Sequence, residues 1–147
     1  MYGNYFALAR SSFALSTAAD ALTIIGASNR RLYIVEISFS GLGTVSAANE
    51  VLVSRSTGGT TGGGAITAAK MFDNSAAAAF TNFTTWSAVP TLTGTGLLRL
   101  GVNANGGVYR WVARPGSEIE LVSTEQVSIR PVSGSSNVGL HVLVCEK

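Results

Sequence analysis

Arg31-Leu-Tyr-Ile-Val-Glu-Ile-Ser-Phe-Ser40 is the stretch on which the fold turns. Tyr33, Val35, Ile37 and Phe39 alternate with Leu32, Ile34, Glu36 and Ser38, a period of two that sends successive side chains to opposite faces of a β-strand. β-Branched and aromatic residues gather on one side, which suits a pleated surface laid against a core. Gly41-Leu-Gly43 ends the run, and residues 50–56 repeat it, with Leu52 between Val51 and Val53. Further out, residues 96–102, 107–113, 118–123, 126–132 and 138–146 read as strands, separated by Gly, Pro, Asn or Ser at the spacing of an all-β sandwich or barrel. Residues 81–87 read as another, with Phe83 and Thr85 on one face and Asn82, Thr84 and Trp86 on the other, and Pro90 closes it.

Turn chemistry joins these runs. Asn105-Gly106-Gly107 predicts a tight type I′ hairpin, because both central residues of that turn need positive φ. Arg114-Pro115-Gly116 predicts a sharp corner, with Pro at the second position and Gly after it. Ser133-Gly-Ser-Ser-Asn137 links the last two strands, and Val138, Leu140, Val142 and Val144 form the inward row of a buried C-terminal strand. Residues 57–64, rich in Gly and Thr, read as a mobile loop. Asp73-Asn-Ser75 before residues 76–79, all Ala, resembles an N-cap leading into at most two helical turns, with an extended loop as the alternative. Residues 1–30, with Tyr2, Tyr5, Phe6, Phe13 and Leu15, form one or two first strands or an arm that lies on a partner; residues 31–147 form the β-domain.

The chain has 147 residues, one domain's worth, and a chain of this size buries roughly 70% of its unfolded surface without disulfides. Only 12% of it is charged, about half the roughly 25% of an ordinary soluble domain, while 46% is hydrophobic. Such a chain folds, and it hides more surface than one subunit buries. One His, one Cys and two Asp disfavour an enzyme, since most hydrolytic and transfer chemistry needs acids, bases and nucleophiles held together. The lone Cys145 leaves no internal disulfide, and without a Cys/His cluster neither a zinc site nor another cofactor is expected. Arg10 breaks the apolar stretch from Tyr5 to Leu15 and nowhere do 18 apolar residues run together, so neither a signal peptide nor a membrane contact is expected, and synthesis is placed in a cytoplasm.

Candidate chemistry is weighed residue by residue. His141 and Cys145 share a strand face, yet four residues of strand separate their Cα atoms by about 13 Å, too far for a nucleophile and its base. The glycines from Gly58 to Gly64 lack the Gly-Lys-Ser/Thr ending and following helix of a phosphate cradle. Glu118 and Glu120 point the same way from one strand and read as a solvated face. The eight Arg residues are scattered over strands and loops, without the basic stripe that nucleic acid requires. Trp86 and Trp111 read as core or interface rather than as a sugar platform.

From Pro90 to Glu146, the series Gly106-Gly-Val-Tyr-Arg-Trp-Val-Ala-Arg-Pro-Gly116, then Glu118-Ile-Glu-Leu121, Val127-Ser-Ile-Arg130 and a closing apolar strand ending Cys145-Glu146, resembles the small jelly-roll head proteins of tailed bacteriophages, above all their decoration or cement proteins. The runs above amount to a single antiparallel β-sandwich of roughly eight to ten strands with at most one short helix, and the resemblance implies that it is jelly-roll-like. It implies a virion structural protein on the capsid exterior, a homotrimer that binds and stabilises the major capsid protein shell, with no catalysis. Tyr2, Tyr5, Phe6 and Arg10 of the N-terminal segment are the expected shell contacts, on an arm removable without unfolding the β-domain. The alternative from another class is a carbohydrate- or receptor-binding β-sandwich of a tail spike or fibre, using Trp86 or Trp111.

Overall fold

A computed structural model describes residues 3–73 and 76–147, and every regular element among them is a β-strand. In chain order these are β1 (Asn4–Ala14), β2 (Leu22–Ile25), β3 (Leu32–Leu42), β4 (Ala48–Thr57), β5 (Thr60–Gly63), β6 (Ala69–Lys70) and β7 (Thr81–Phe83). They continue with β8 (Thr85–Ala88), β9 (Thr91–Asn103), β10 (Asn105–Val112), β11 (Ile119–Leu121), β12 (Gln126–Ser133) and β13 (Asn137–Glu146). All pairings are antiparallel. The first sheet runs β10-β3-β13-β1-β6, with β11 also paired to β3; the second runs β7-β2-β12-β4-β9; β5 and β8 form a separate ribbon. Setting β5, β6, β7 and β8 aside and counting β10 and β11 as one, the first sheet holds the first, eighth, third and sixth of the remaining strands, and the second holds the second, seventh, fourth and fifth.

One buried cluster draws on both sheets, which makes the architecture a β-sandwich. Phe6, Leu8, Ile34, Ile37, Phe39, Val138, Leu140, Val142 and Val144 from the first sheet meet Leu22, Ile24, Val51, Val53, Leu100, Val127 and Ile129 from the second. The inward row of β13 is the one its alternation predicts. In β3 the simple alternation breaks. Leu143 opposes Glu36 while Val144 opposes Ile34, so Val35 is the extra residue of a β-bulge. The inward row is therefore Leu32 and Ile34 before the bulge and Ile37 and Phe39 after it, with Tyr33 and Val35 only partly buried.

Several expected connections take another form. Asn105-Gly106-Gly107 does not make a hairpin, because β9 and β10 belong to different sheets. Ala104, fully buried, donates its N–H to Ala47 O and accepts from Gly43 N–H, both at 2.7 Å, and the chain changes sheets there. Gly106 alone of the two central residues has positive φ. Gly41 passes beneath this crossing, where a Cβ would lie 2.1 Å from Asn103 O. The Arg114 corner is sharp: Ser117 N donates to Arg114 O at 2.8 Å with Gly116 at φ 85°, the type II arrangement. It is an excursion from one edge, though, since β10 and β11 lie on the same side of β3.

The Gly-rich stretch is not wholly loop, because Thr60–Gly63 pairs with β8 as a ribbon. The expected strand at 81–87 is two strands broken at Thr84, β7 joining the second sheet and β8 the ribbon. Of the expected N-cap Asp73-Asn-Ser75, residues 74 and 75 lie outside the described residues, and residues 76–79 are not helical. The N–H groups of Ala79 and Phe80 are committed to Glu146 Oε1, at 3.0 and 3.1 Å, and Glu146 Oε2 also receives Arg30 Nη1 at 2.8 Å. The N-terminal segment forms strands: β1 lies between β13 and β6 within the first sheet.

Candidate functional site

The two sheets differ in what covers their outer faces. On the second, Thr23, Ser54, Ser56 and Ser128 are buried although they point away from the core. Asp20 binds this layer together: Thr23 Oγ1 donates to its Oδ2 at 2.8 Å, Ser128 Oγ lies 2.6 Å from the same oxygen, and Arg130 Nε donates to Oδ1 at 2.6 Å. Trp86 Nε1, from β8, donates to Thr23 Oγ1 at 2.9 Å, and Arg130 Nη2 reaches Pro90 O at 2.7 Å. A serine beside a carboxylate invites a nucleophile reading. Here Asp20 is held by three donors and shut beneath Trp86, so the cluster fastens the ribbon side of the molecule to the sheet.

Among the described residues no such layer lies over the three rows of the first sheet that follow, although Cys145, in the next row, is itself buried. Register places Ala7, Leu143, Glu36 and Val112 in one transverse row, Ala9, His141, Ser38 and Arg110 in the next, and Gly139, Ser40 and Val108 in a third. The floor is thus small and polar. Its margins are apolar: Val108 is 72% exposed and Val112 53%, and at the opposite side Met71 and Phe72 border a hollow with Tyr5 and Leu143. The Tyr5 and Phe72 rings meet edge to face at 6.3 Å. At the β10 side of the floor Arg110 clamps Glu36 of β3 bidentately, Nε to Oε1 at 2.6 Å and Nη2 to Oε2 at 2.8 Å.

Those two hydrogen bonds hold the Glu36 carboxyl below the usual carboxylate range, against partial desolvation that pulls the other way. A carboxyl depressed in the fold stabilises it fully above the ordinary unfolded-chain value and ceases to do so as pH falls through the lowered one. Urea unfolding at pH 7 and pH 3 is expected to show a smaller acid loss in Glu36→Gln than in the parent. Equal acid losses in both would show that the clamp adds nothing.

The sequence-predicted contact residues do not form one site. Tyr2 lies outside the described residues. Tyr5 is on the open face, in the apolar hollow. Phe6 is fully buried in the core, edge to face with Phe80 at 5.7 Å, and is unavailable to a partner in this fold. Arg10 turns inward, its guanidinium 3.8 Å from the Phe13 ring centroid and donating to Ala21 O. Strand alternation explains the division: residues 6, 8 and 10 share the inward row and residues 5, 7 and 9 the outward one.

Neither tryptophan is laid out as a platform, Trp86 being bonded to Thr23 and Trp111 packed against the core. Cys145 is fully buried, and desolvation pushes its thiol up. Glu118 caps Gly116 N–H at 2.9 Å, while Glu120 takes Arg31 Nη1 and Tyr33 OH at 2.9 and 3.2 Å. Missed from sequence are Glu36, Arg110, Val108, Val112, Met71 and Phe72. Valines at 108 and 112 flanking an arginine on one row are the signal that could have marked the β10 side of this face.

No family model matches the chain, and no curated protein or solved structure matches it significantly.

Proposed function

We propose that the chain is a virion structural protein, a decoration or cement subunit that binds the outer surface of a capsid shell and stabilises it. One observation carries the reading: the outer face of the first sheet is open, with a floor mostly of Ala, Ser and Gly on which the one charged pair, Glu36 and Arg110, is already satisfied internally, and with an apolar margin, while the second sheet's face is closed by the chain's own ribbon. Small side chains cost little conformational entropy to immobilise and little desolvation to cover, so such a face suits a broad contact repeated by symmetry. The interleaved strand order, first-eighth-third-sixth against second-seventh-fourth-fifth, is compatible with a jelly-roll reading of the β-sandwich and supports the same proposal.

The test is co-sedimentation of the purified protein with emptied or expanded phage heads. The parent is expected to pellet with heads at saturable stoichiometry. Phe72→Asp, at an exposed position, is expected to weaken that binding by about tenfold, roughly 1.4 kcal/mol, with thermal unfolding unchanged. Absence of head binding by the parent, or full binding by the variant, would overturn the assignment of this face.

A further inference from the structure

We infer that the free edge of β10 is a docking site for a second copy of this chain, which extends the first sheet across a two-fold axis at Arg110. A strand edge presents unpaired N–H and C=O groups and is a standing template for another strand, so folded proteins blunt it by shortening, bulging or charging it. Three edges of the two large sheets are treated this way. The first sheet ends at one side in β6, of two residues, and the second in β7, of three. The other edge of the second sheet, β9, is interrupted where residues 94–97 loop out between Thr93, opposite Arg55, and Leu98, opposite Val53. β10 is bulged only at its start, where residues 106 and 107 oppose Gly41; from Val108 to Val112 it pairs with β3 without interruption, and its outward row there carries the exposed valines 108 and 112 on either side of one charge, Arg110.

The backbone and the side chains select a second copy as the occupant. Ala113 N donates to Val35 O of β3, and alternation therefore turns the N–H and C=O groups of Val108, Arg110 and Val112 to the free side. Residues 108–112 read Val-Tyr-Arg-Trp-Val, a palindrome in chemical class about Arg110. Antiparallel pairing about that residue sets Val108 against the partner copy's Val112 and Tyr109 against its Trp111, each contact occurring twice, as an isologous interface requires. The two arginines meet at the axis as ion pairs, since each is already held by its own Glu36. The resemblance to decoration proteins implies a trimer; this edge gives a pair instead, and it stands or falls independently of shell binding.

The full chain, 15.1 kDa, is expected to sediment as a concentration-dependent dimer. Val112→Lys, at an exposed position, is expected to raise the dissociation constant by at least about tenfold by placing charge opposite the partner's valine, while the control Val45→Lys leaves it unchanged. Arg110→Cys is expected to form an intermolecular disulfide on mild oxidation, because a directly opposed hydrogen-bonded pair holds its Cα atoms about 5.5 Å apart, within disulfide range. Val45→Cys is expected not to do so, and the native Cys145 is buried. A monomer at all accessible concentrations, a trimer, or a dimer indifferent to Val112→Lys and uncrosslinked at residue 110 would overturn the inference.

Discussion

Removal of residues 1–12 is expected to abolish cooperative folding rather than to release a dispensable arm. β1 runs beside the C-terminal strand from Asn4 opposite Glu146 to Ala14 opposite Asn137, and its other side pairs with β6. Losing it turns β13, now interior to the first sheet, into an edge. It also uncovers the core where Phe6 and Leu8, both fully buried, are packed. Two such side chains account for about 3–6 kcal/mol of burial, before any lost ladder bonds, out of a total stability of roughly 5–15 kcal/mol for a domain. The single substitution Phe6→Ala is expected to cost about 3–5 kcal/mol, since the cavity is bounded by two sheets and an aromatic neighbour, Phe80. Urea unfolding followed by circular dichroism checks both. A truncated chain that keeps a sigmoidal transition and a native spectrum would show that the remaining strands form the sandwich alone.

The strands were legible in the sequence wherever one row of side chains is buried and the other is not. β13 is the clearest case: Val138, Leu140, Val142 and Val144 alternate without interruption and occupy the inner row. β3 shows the limit of that signal. Its ten-residue alternation looks continuous on paper, yet the Val35 bulge transfers the inner row from even to odd positions. Nothing in a run of Tyr, Ile and Val announces a bulge, because every residue there is acceptable on either face. Asn105-Gly106 misled for a related reason. A type I′ turn depends on local φ preferences, while the two hydrogen bonds of Ala104 to distant backbone send the chain to the other sheet instead. The open face of the first sheet was legible in part. Tyr5 belongs to it, but Phe6 and Arg10 do not, and its floor is assembled from β1, β13, β3 and β10, whose adjacency is a property of topology rather than of spacing.

Asp20→Ala is expected to be among the most damaging single side-chain changes outside the apolar core. The Asp20 side chain is fully buried, and its partner Arg130 is 18% exposed. Cutting back the carboxylate leaves Arg130 as an under-compensated cation in a site largely removed from water and deprives Thr23 and Ser128 of their common acceptor. Breaking a buried pair from one side costs about 3–5 kcal/mol, whereas replacing both partners by apolar groups of similar size is often close to neutral. The double variant Asp20→Leu with Arg130→Met is therefore expected to recover most of the stability lost in Asp20→Ala. Denaturant midpoints of the parent, Asp20→Leu, Arg130→Met and the double variant form the cycle that measures this coupling. Trp86 supplies a local reading of the same event, because its indole N–H reaches Asp20 through the Thr23 hydroxyl. Its emission is expected to shift to the red in Asp20→Ala at denaturant concentrations where the parent is still folded, as the ribbon loosens from the sheet. A single variant within about 1 kcal/mol of the parent, the size of one ordinary hydrogen bond, would mean that water replaces the carboxylate and that the second sheet's cover is not sealed.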